Sequence, residues 1–416
     1  MEKGIPALIV TTTQNRIEKC LESAGLRLKD TAFIRSRKLT AKMMLFLILH
    51  RIYTSLQLDL DDFYEGISCA HVSKQAFSKA RQQLNPEFLR GFFDMTAKEA
   101  AKIDTIPTYR GMRLIAIDGS DIALENSVEL KETFGCSGSK KDAATALCST
   151  AYGPLDHIIY DCRIDSYKKD ERDLARMHVE RLEELGLKKS LLLFDRWYPS
   201  AEFIAFLLKK GFHFVIRARS KWNLDVDNLK TQGMITLEHG GKSFSVRVLK
   251  VKLPTGETET LLTSLNQKQL PIRKAAALYF KRWAVETSYD LLKSKLQLEN
   301  FSGKTAVSVK QDFYATMYLA NLASFIAAEA NEKIAENDAG KNLKYERRSS
   351  SNRTIHFLRK AFIRLLLEPD KNVRNAMLQR IVDTISEKPI PIVPNRSPAR
   401  AIPRKKRFHI AKKSVL

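Results

Sequence analysis

The sequence predicts an α/β chain: a mixed sheet flanked by helices, interrupted by a small antiparallel β insert, with helical regions at either end. Three observations predict it. Between residues 108 and 218, apolar runs of strand length alternate with segments of helical spacing. Residues 219–270 alternate apolar and polar side chains around turns at Gly240-Gly241 and Pro254-Thr255-Gly256. Residues 1–107 and those from 271 onward carry mainly helical patterns, until a series of prolines begins at Pro389. The expected organisation is a helical head (1–107), a core in two parts (108–218 and 271–335) split by the β insert (219–270), and a helical, basic end (336–416).

Leu39 to Leu56 reads as an apolar-rich helix. The next helical stretch, over Ser73 to Leu84, stops at Asn85-Pro86, because the residue before a proline is pushed out of the helical region. Lys74, Lys79 and Arg81 stand on that stretch beside small polar residues. It reads either as a recognition helix that meets phosphates and base edges or as an ordinary solvated face. Arg113 to Ile117 is a short apolar strand that ends at Asp118-Gly119-Ser120. Ala144–Tyr152 and His157–Ile164 flank Gly153-Pro154-Leu155-Asp156 as a hairpin. Asp170 to Leu185 has helical spacing, with Leu174, Met177, Leu182 and Leu185 apolar and Gly186 at the C-terminal cap. Leu191–Phe194 is a buried-type strand ending at Asp195; helix Ala201–Lys210 and strand Phe212–Ile216 follow. Three insert strands are expected at Thr236–Glu238, Ser243–Lys252 and Glu259–Ser264. Ile272–Leu298 reads as one helix and Val309–Ala335 as a packed core helix.

Composition narrows the function. The chain has 416 residues, 44% of them hydrophobic, enough for sizeable cores. Seventy Lys and Arg against 47 Asp and Glu leave a net charge of +23, a field that attracts polyanions such as nucleic acid or an anionic membrane surface. The most apolar stretch, Met43 to Leu49, is far shorter than the roughly 20 residues that span a bilayer. The first residues lack a signal-peptide layout. Cys20, Cys69, Cys136, Cys148 and Cys162 are scattered with no CxxC pair, which disfavours a disulfide framework and a zinc ribbon. A cytoplasmic protein is the expectation. The end of the chain carries Arg396, Arg400, Arg404, Lys405, Lys406, Arg407, Lys412 and Lys413 with no acidic residue. It is either an arm that lies on phosphates or a solubilising tail.

Two carboxylates stand directly after apolar strands, Asp118 and Asp195. Strand ends aim side chains into a shared cleft while the backbone stays bonded, and hard divalent cations want oxygen ligands of this kind. A third carboxylate comes from the helix that begins at Ile272. Tyr279, Arg282, Glu286 and Lys293 are offset by 3, 7 and 14 residues. On a continuous helix they share a stripe about 60° wide. Phenol, guanidinium, carboxylate and ammonium do not make a core, so the stripe is either a salt-bridged solvated face or a site. Asp121, Asp142 and Asp165 do not end apolar strands, and Asp290 reads as a neighbour of the stripe. His157 and His213 read as structural residues within strands.

Three strands, a helix, a strand bearing the second carboxylate, a further helix and strand, then a helix bearing the third is a ribonuclease H-like order. Here the sequence resembles the DDE transposases of bacterial insertion sequences, specifically the insertion-sequence-four group. Tyr279-x2-Arg282-x3-Glu286-x6-Lys293 matches that family's signature at every spacing. Ile117-Asp118-Gly119-Ser120 and Phe194-Asp195-Arg196-Trp197-Tyr198 are similar to its two aspartate motifs, and the β insert lies where the family places one. The resemblance spans about residues 110 to 330.

The resemblance implies that Asp118, Asp195 and Glu286 are catalytic and hold two Mg2+ ions, with Mn2+ an acceptable substitute. It implies that Tyr279, Arg282 and Lys293 contact phosphates of the element end, and that Trp283 stands where family members accommodate a flipped base; Trp222, in the insert, reads either as a further stacking partner or as packing. Lys74, Lys79 and Arg81 of the helical head and Arg404, Lys405, Lys406 and Arg407 of the tail would add DNA contacts. The implied activity is cut-and-paste transposition: binding of terminal inverted repeats, cleavage at the ends, and joining of 3′ hydroxyls to target DNA. The implied partner is double-stranded DNA, the implied assembly a homodimer, and the implied location the nucleoid when DNA-bound. Two other readings stay open at this stage, a catalytically silent DNA-binding derivative and another metal-dependent nuclease or recombinase of the same fold.

Overall fold

The computed structural model describes residues 4–23, 25–34, 38–50, 55–66, 71–138, 143–253 and 256–393. In chain order the elements are α1 (Ile5–Glu18), α2 (Ala41–His50), α3 (Leu56–Gly66), α4 (Lys74–Arg81), α5 (Pro86–Ala101), β1 (Arg113–Ala123), α6 (Val128–Phe134), β2 (Cys136–Ser137), β3 (Ala143–Tyr152), β4 (Ile159–Ser166), α7 (Glu171–Glu184), β5 (Ser190–Phe194), α8 (Ala201–Lys210), β6 (His213–Ala218), α9 (Leu224–Asn228), β7 (Gln232–His239), β8 (Lys242–Lys252) and β9 (Thr258–Thr263). They continue with α10 (Ile272–Phe280), α11 (Trp283–Ser294), α12 (Ala306–Asp338), β10 (Arg347–Arg348), α13 (Ser351–Leu367), α14 (Lys371–Ser386) and β11 (Ile390–Pro391). The chain divides into two compact units: Met1–Glu99 with Ile122–Ala146 and Leu291–Leu416, and Ala100–Asp121 with Leu147–Asp290.

The second unit is built on a mixed sheet in the order β4-β3-β1-β5-β6-β9-β8-β7. β1, β5 and β6 are parallel neighbours, with Ala116 opposite Leu193 and Phe194 opposite Ile216. The sequential strands β1, β3 and β4, with β5 and β6 added parallel beyond β1 and α7 as the crossover into β5, give the ribonuclease H-like arrangement that the element order predicts. β5 is buried along its whole length and β1 over its first five residues, as expected for strands covered on both faces. Asp170 caps α7 by accepting the Arg172 N–H, and Gly211 closes α8 at a φ of 77°.

Several expectations change. β1 runs on through Asp118 to Ala123; what stops at Ala116 is its register with β5. The antiparallel β7-β8-β9 unit joins the core sheet, because β9 pairs antiparallel with β6 and carries β8 and β7 beyond it. α9 lies inside that region, and the sequence pattern gave no sign of it. The helix expected over Ile272–Leu298 is two helices. Lys281 and Arg282 bond back three residues, to Leu278 and Tyr279, and this tight turn separates α10 from α11. Along α7, Met177 faces outward and His178 takes the inner position, fully buried. His157 lies in the turn between β3 and β4 rather than in a strand.

The first unit is mainly helical, around the long α12, whose Thr305 and Ser308 form a reciprocal capping box. β2 pairs with the start of β3, and β10 with β11. No described helix is long and apolar enough to cross a membrane. The described cysteines Cys20, Cys136, Cys148 and Cys162 form no disulfide.

Candidate active site

The parallel register decides where the first two carboxylates go. Ala116 pairs with Leu193, and two residues farther along each chain stand Asp118 of β1 and Asp195, the first residue past β5. Neighbouring strands lie about 4.8 Å apart, so both acids share one end of the sheet. α11 brings the third: Glu286 stands in its first turn. Arg282, in the turn before α11, is buried and ties the set together. Its Nη1 donates to Asp118 Oδ2 at 3.0 Å and its Nη2 to Glu286 Oε1 at 2.7 Å. Asp195 acts on the same group through its charge, which is felt at Asp118, Tyr279 and Arg282.

The electrostatics follow from burial. Burial pushes the Asp118 carboxyl up to about 7; Arg282 opposes this, while Asp195 and Glu171 add to it. Burial also raises Glu171, and the Tyr198 hydroxyl beside it pulls the other way. Arg282 is held charged well above its ordinary range despite burial, by Tyr279, Glu286, Asp118 and Asp195. Its guanidinium carbon lies 5.6 Å from the centre of the Tyr279 ring.

Tyr279 is buried, and its hydroxyl donates to the carbonyl of Phe194 at 3.2 Å. In this arrangement it holds the end of β5, the residue before Asp195. Below Asp118, its carbonyl accepts from Tyr289 at 2.8 Å and from Ser149 at 3.3 Å. Ser149 in turn bonds His178 Nε2 at 2.9 Å, and His178 Nδ1 bonds Asp161 at 2.7 Å. These three side chains are fully buried, so the set props β1 and is closed to a substrate. No sequence signal marked it, since its members lie on β3, β4 and α7.

The rim of the site is aromatic and basic. Trp283 is 45% exposed and packs against Phe280, which is 68% exposed. Trp197, two residues after Asp195, is 59% exposed beneath the Arg219 guanidinium. Trp222 is tied by its indole N–H to the carbonyl of Pro199. Phe280, Trp197 and Arg219 were not singled out from sequence; Trp197 sits inside the quoted aspartate motif and carried the signal.

Lys293 lies farther along α11, and its ammonium is 3.7 Å from Glu299. Lys74 and Lys79 are exposed on α4, as a phosphate-facing helix requires. Arg81 is not. It is 1% exposed and bonds Asp312 at 2.9 Å, Gln311 at 2.9 Å and Ser302 at 2.6 Å. The expectation that Arg81 contacts DNA is corrected: it is a packing residue, because a long stem and a satisfied fork let arginine serve as a buried hub. Arg404, Lys405, Lys406 and Arg407 lie outside the described residues, as does Asp142.

The donor set is hard oxygen, gathered beside buried like charges that a divalent cation would relieve, so its chemistry fits such an ion. As placed, no three acidic, histidine or cysteine side chains among the described residues converge on one point. Arg282 stands between Asp118 and Glu286, doing with a guanidinium what a divalent ion does with its charge.

Residues 109–322 match the family model described as the transposase DDE domain. The chain belongs to that family. This transposase is 24% identical over 338 residues to the transposase InsG for insertion sequence element IS4 of Escherichia coli (strain K12), covering 74% of this chain and 73% of that protein. It is 24% identical over 196 residues to the putative transposase InsZ of the same organism, covering 45% of this chain and 63% of that protein. Among solved structures, the piggyBac transposase synaptic complex with hairpin DNA aligns with a TM-score of 0.46 and 11% identity, over 91% of this chain and 83% of that one. The protein is a DDE transposase of the IS4 type, a DNA-binding enzyme of DNA strand cleavage, and enzymes of this family use divalent metal ions.

Proposed function

We propose that this transposase carries out cut-and-paste transposition of its own insertion sequence. It binds the terminal inverted repeats, cleaves at the ends and joins the released 3′ hydroxyls to target DNA. The observation that carries the reading is the Arg282 bridge, which holds Asp118 and Glu286 together beside Asp195. Three acids with one arginine already among them form a site built for phosphate, not for a neutral substrate.

Asp118, Asp195 and Glu286 would hold the divalent cations, Mg2+ or Mn2+, two per site, whose chemistry is charge neutralisation at the phosphate. The residues of the chain do the positioning. Water attacks the scissile phosphodiester in line; a phosphorus–oxygen bond forms, the bond to the 3′ oxygen breaks, and that oxygen leaves as a hydroxyl. In the joining step the 3′ hydroxyl attacks a target phosphodiester in turn. Bond making and bond breaking balance at each step, and no covalent bond to the protein is needed. Arg282 exchanges its carboxylates for a backbone phosphate as DNA enters, because its fork serves either partner. Tyr279 keeps β5 in place, Lys293 adds phosphate charge, and Trp283, with Trp222 as the second candidate, offers a face for an unstacked base. Lys74 and Lys79, with the basic tail, hold flanking duplex. Two ends must meet, so the active form is a homodimer on DNA, associated with the nucleoid.

Strand transfer with paired element ends and a supercoiled target tests the proposal. Products joined at 3′ ends are expected. Nicking without joining, under conditions where both ends are bound, would refute it.

A further inference from the structure

The helical unit carries a basic groove of about 560 Å3. It lies between the end of α2, the residue after α11 and one face of α13. The periodicity of α13 makes that face. Asn352, His356, Arg359 and Lys360 recur at helical spacing, while Leu358, Phe362, Leu365 and Leu366 turn into the core. Lys295 joins from beyond α11, and His50 from the end of α2, which packs against α13.

The cations of this groove have no counter-charge from the protein. Lys295, His356 and Lys360 are exposed and form no ion pair among the described residues, and no described acid lines the groove. Arg359 is held in place: its Nη2 donates to the Lys295 carbonyl at 2.8 Å, which ties the two basic residues together. The Nδ1 of His50 is buried without a hydrogen-bond partner. Burial pushes that imidazole below its ordinary value; Asp59 opposes this and Arg359 adds to it, so the ring is neutral at pH 7. A buried polar atom left unpaired is costly unless a ligand or water satisfies it.

Like charges gathered around one hollow repel one another, and a polyanion relieves them. The chemistry of the lining selects the occupant. Small-molecule sites are lined mostly by apolar side chains, whereas Ile355 is the one apolar side chain among the described lining residues. Two lysines, an arginine fork, an amide and imidazoles are instead the groups that grip the phosphates of a nucleic acid backbone.

We propose that this groove is a DNA-backbone site, in which Lys295, Arg359 and Lys360 hold successive phosphates of duplex DNA without reading its sequence. The proposal rests on the DNA-binding reading of this transposase and is independent of its cleavage chemistry. It gives α13, which carries no acid of its own, a direct part in holding the substrate.

Lysine acetylation of the full-length protein, read by mass spectrometry with and without saturating duplex, tests the location. Lys295 and Lys360 are expected to react about fivefold more slowly in the complex. Full reactivity of both while duplex is bound overturns the proposal. So does protection by inorganic phosphate at equal ionic strength with none from duplex, which would make the groove a small-anion site. Lys295→Gln/Lys360→Gln tests the energetics. It should weaken binding about tenfold at about 0.15 M salt and lower the slope of log affinity against log salt by about 2, alike for an element end and an unrelated duplex. Lys209→Gln/Lys371→Gln removes the same charge from exposed positions elsewhere and should change both far less. Equal effects in the two pairs would assign the loss to net charge and overturn the proposal, as would wild-type affinity and slope in the first pair. A loss confined to the element end would mean base readout and overturn it too. If wild type binds no duplex, the DNA-binding reading itself falls.

Discussion

Arg282 competes with divalent cations for Asp118 and Glu286, and removing it should reveal by how much. The perturbation is Arg282→Met, which keeps a long apolar stem and deletes the charge. Arg282 is 6% exposed and makes two charge-assisted hydrogen bonds, 3.0 Å to Asp118 and 2.7 Å to Glu286. A hydrogen bond to a charged group contributes about 1.5–3 kcal/mol. The Asp118 bond is buried and takes the middle of that range, about 2 kcal/mol. The Glu286 side chain is 37% exposed, so its bond is discounted toward the surface value of about 1 kcal/mol. A cation that displaces both bonds works against about 3 kcal/mol, and their removal should tighten Mn2+ binding about a hundredfold. The assay is calorimetric titration of DNA-free protein across alkaline pH, since Asp118 is raised to about 7 with Arg282 present and loses that lowering influence in the variant. Cleavage of element ends should be lost in the same variant, because the phosphate fork is gone. Unchanged or weaker Mn2+ binding in Arg282→Met would show that the guanidinium does not stand in the cation's place.

Other outcomes follow from the same structure. Asp118→Asn, Asp195→Asn and Glu286→Gln should each abolish cleavage while leaving end binding within about threefold in gel shifts; cleavage surviving in any one removes that residue from the site. Without metal, the ionised Asp118 destabilises the fold, since its folded pKa of about 7 lies above the unfolded value of 3.8. Wild type in EDTA should therefore lose stability as pH rises from about 4 to 7. Asp118→Asn should be more stable than wild type at pH 8, by on the order of 2 kcal/mol, with the advantage shrinking toward pH 4; thermal melts across pH read this. Arg81→Met takes the guanidinium from the buried Asp312 carboxylate, leaving it the Ser302 donors, and should cost about 3–5 kcal/mol. Chemical denaturation measures that, and a gel shift at equal folded concentration should show no loss specific to Arg81. Removing residues 394–416 should flatten the dependence of DNA affinity on salt, because the eight cations from Arg396 to Lys413 leave with no acid among them.

Local chemistry made much of this protein legible in its sequence. Apolar runs marked β1 and β5 and therefore Asp118 and Asp195; glycine and proline marked the turns; the spacing of Tyr279, Arg282, Glu286 and Lys293 marked the helical segment that carries the third acid. Such signals lie within a few residues of one another, so the periods of helix and strand suffice to read them. The tertiary structure decided what depends on partners far along the chain. Pairing of β9 with β6 decided that the antiparallel insert extends the core sheet, and Asp312 turned Arg81 from an expected DNA contact into a buried hub. A tight turn at Lys281-Arg282 broke a helix whose periodicity reads as continuous, and so placed Arg282 between two carboxylates. A charged residue in sequence carries no mark of whether it meets solvent, a counter-ion or a substrate, and only the fold supplies that partner.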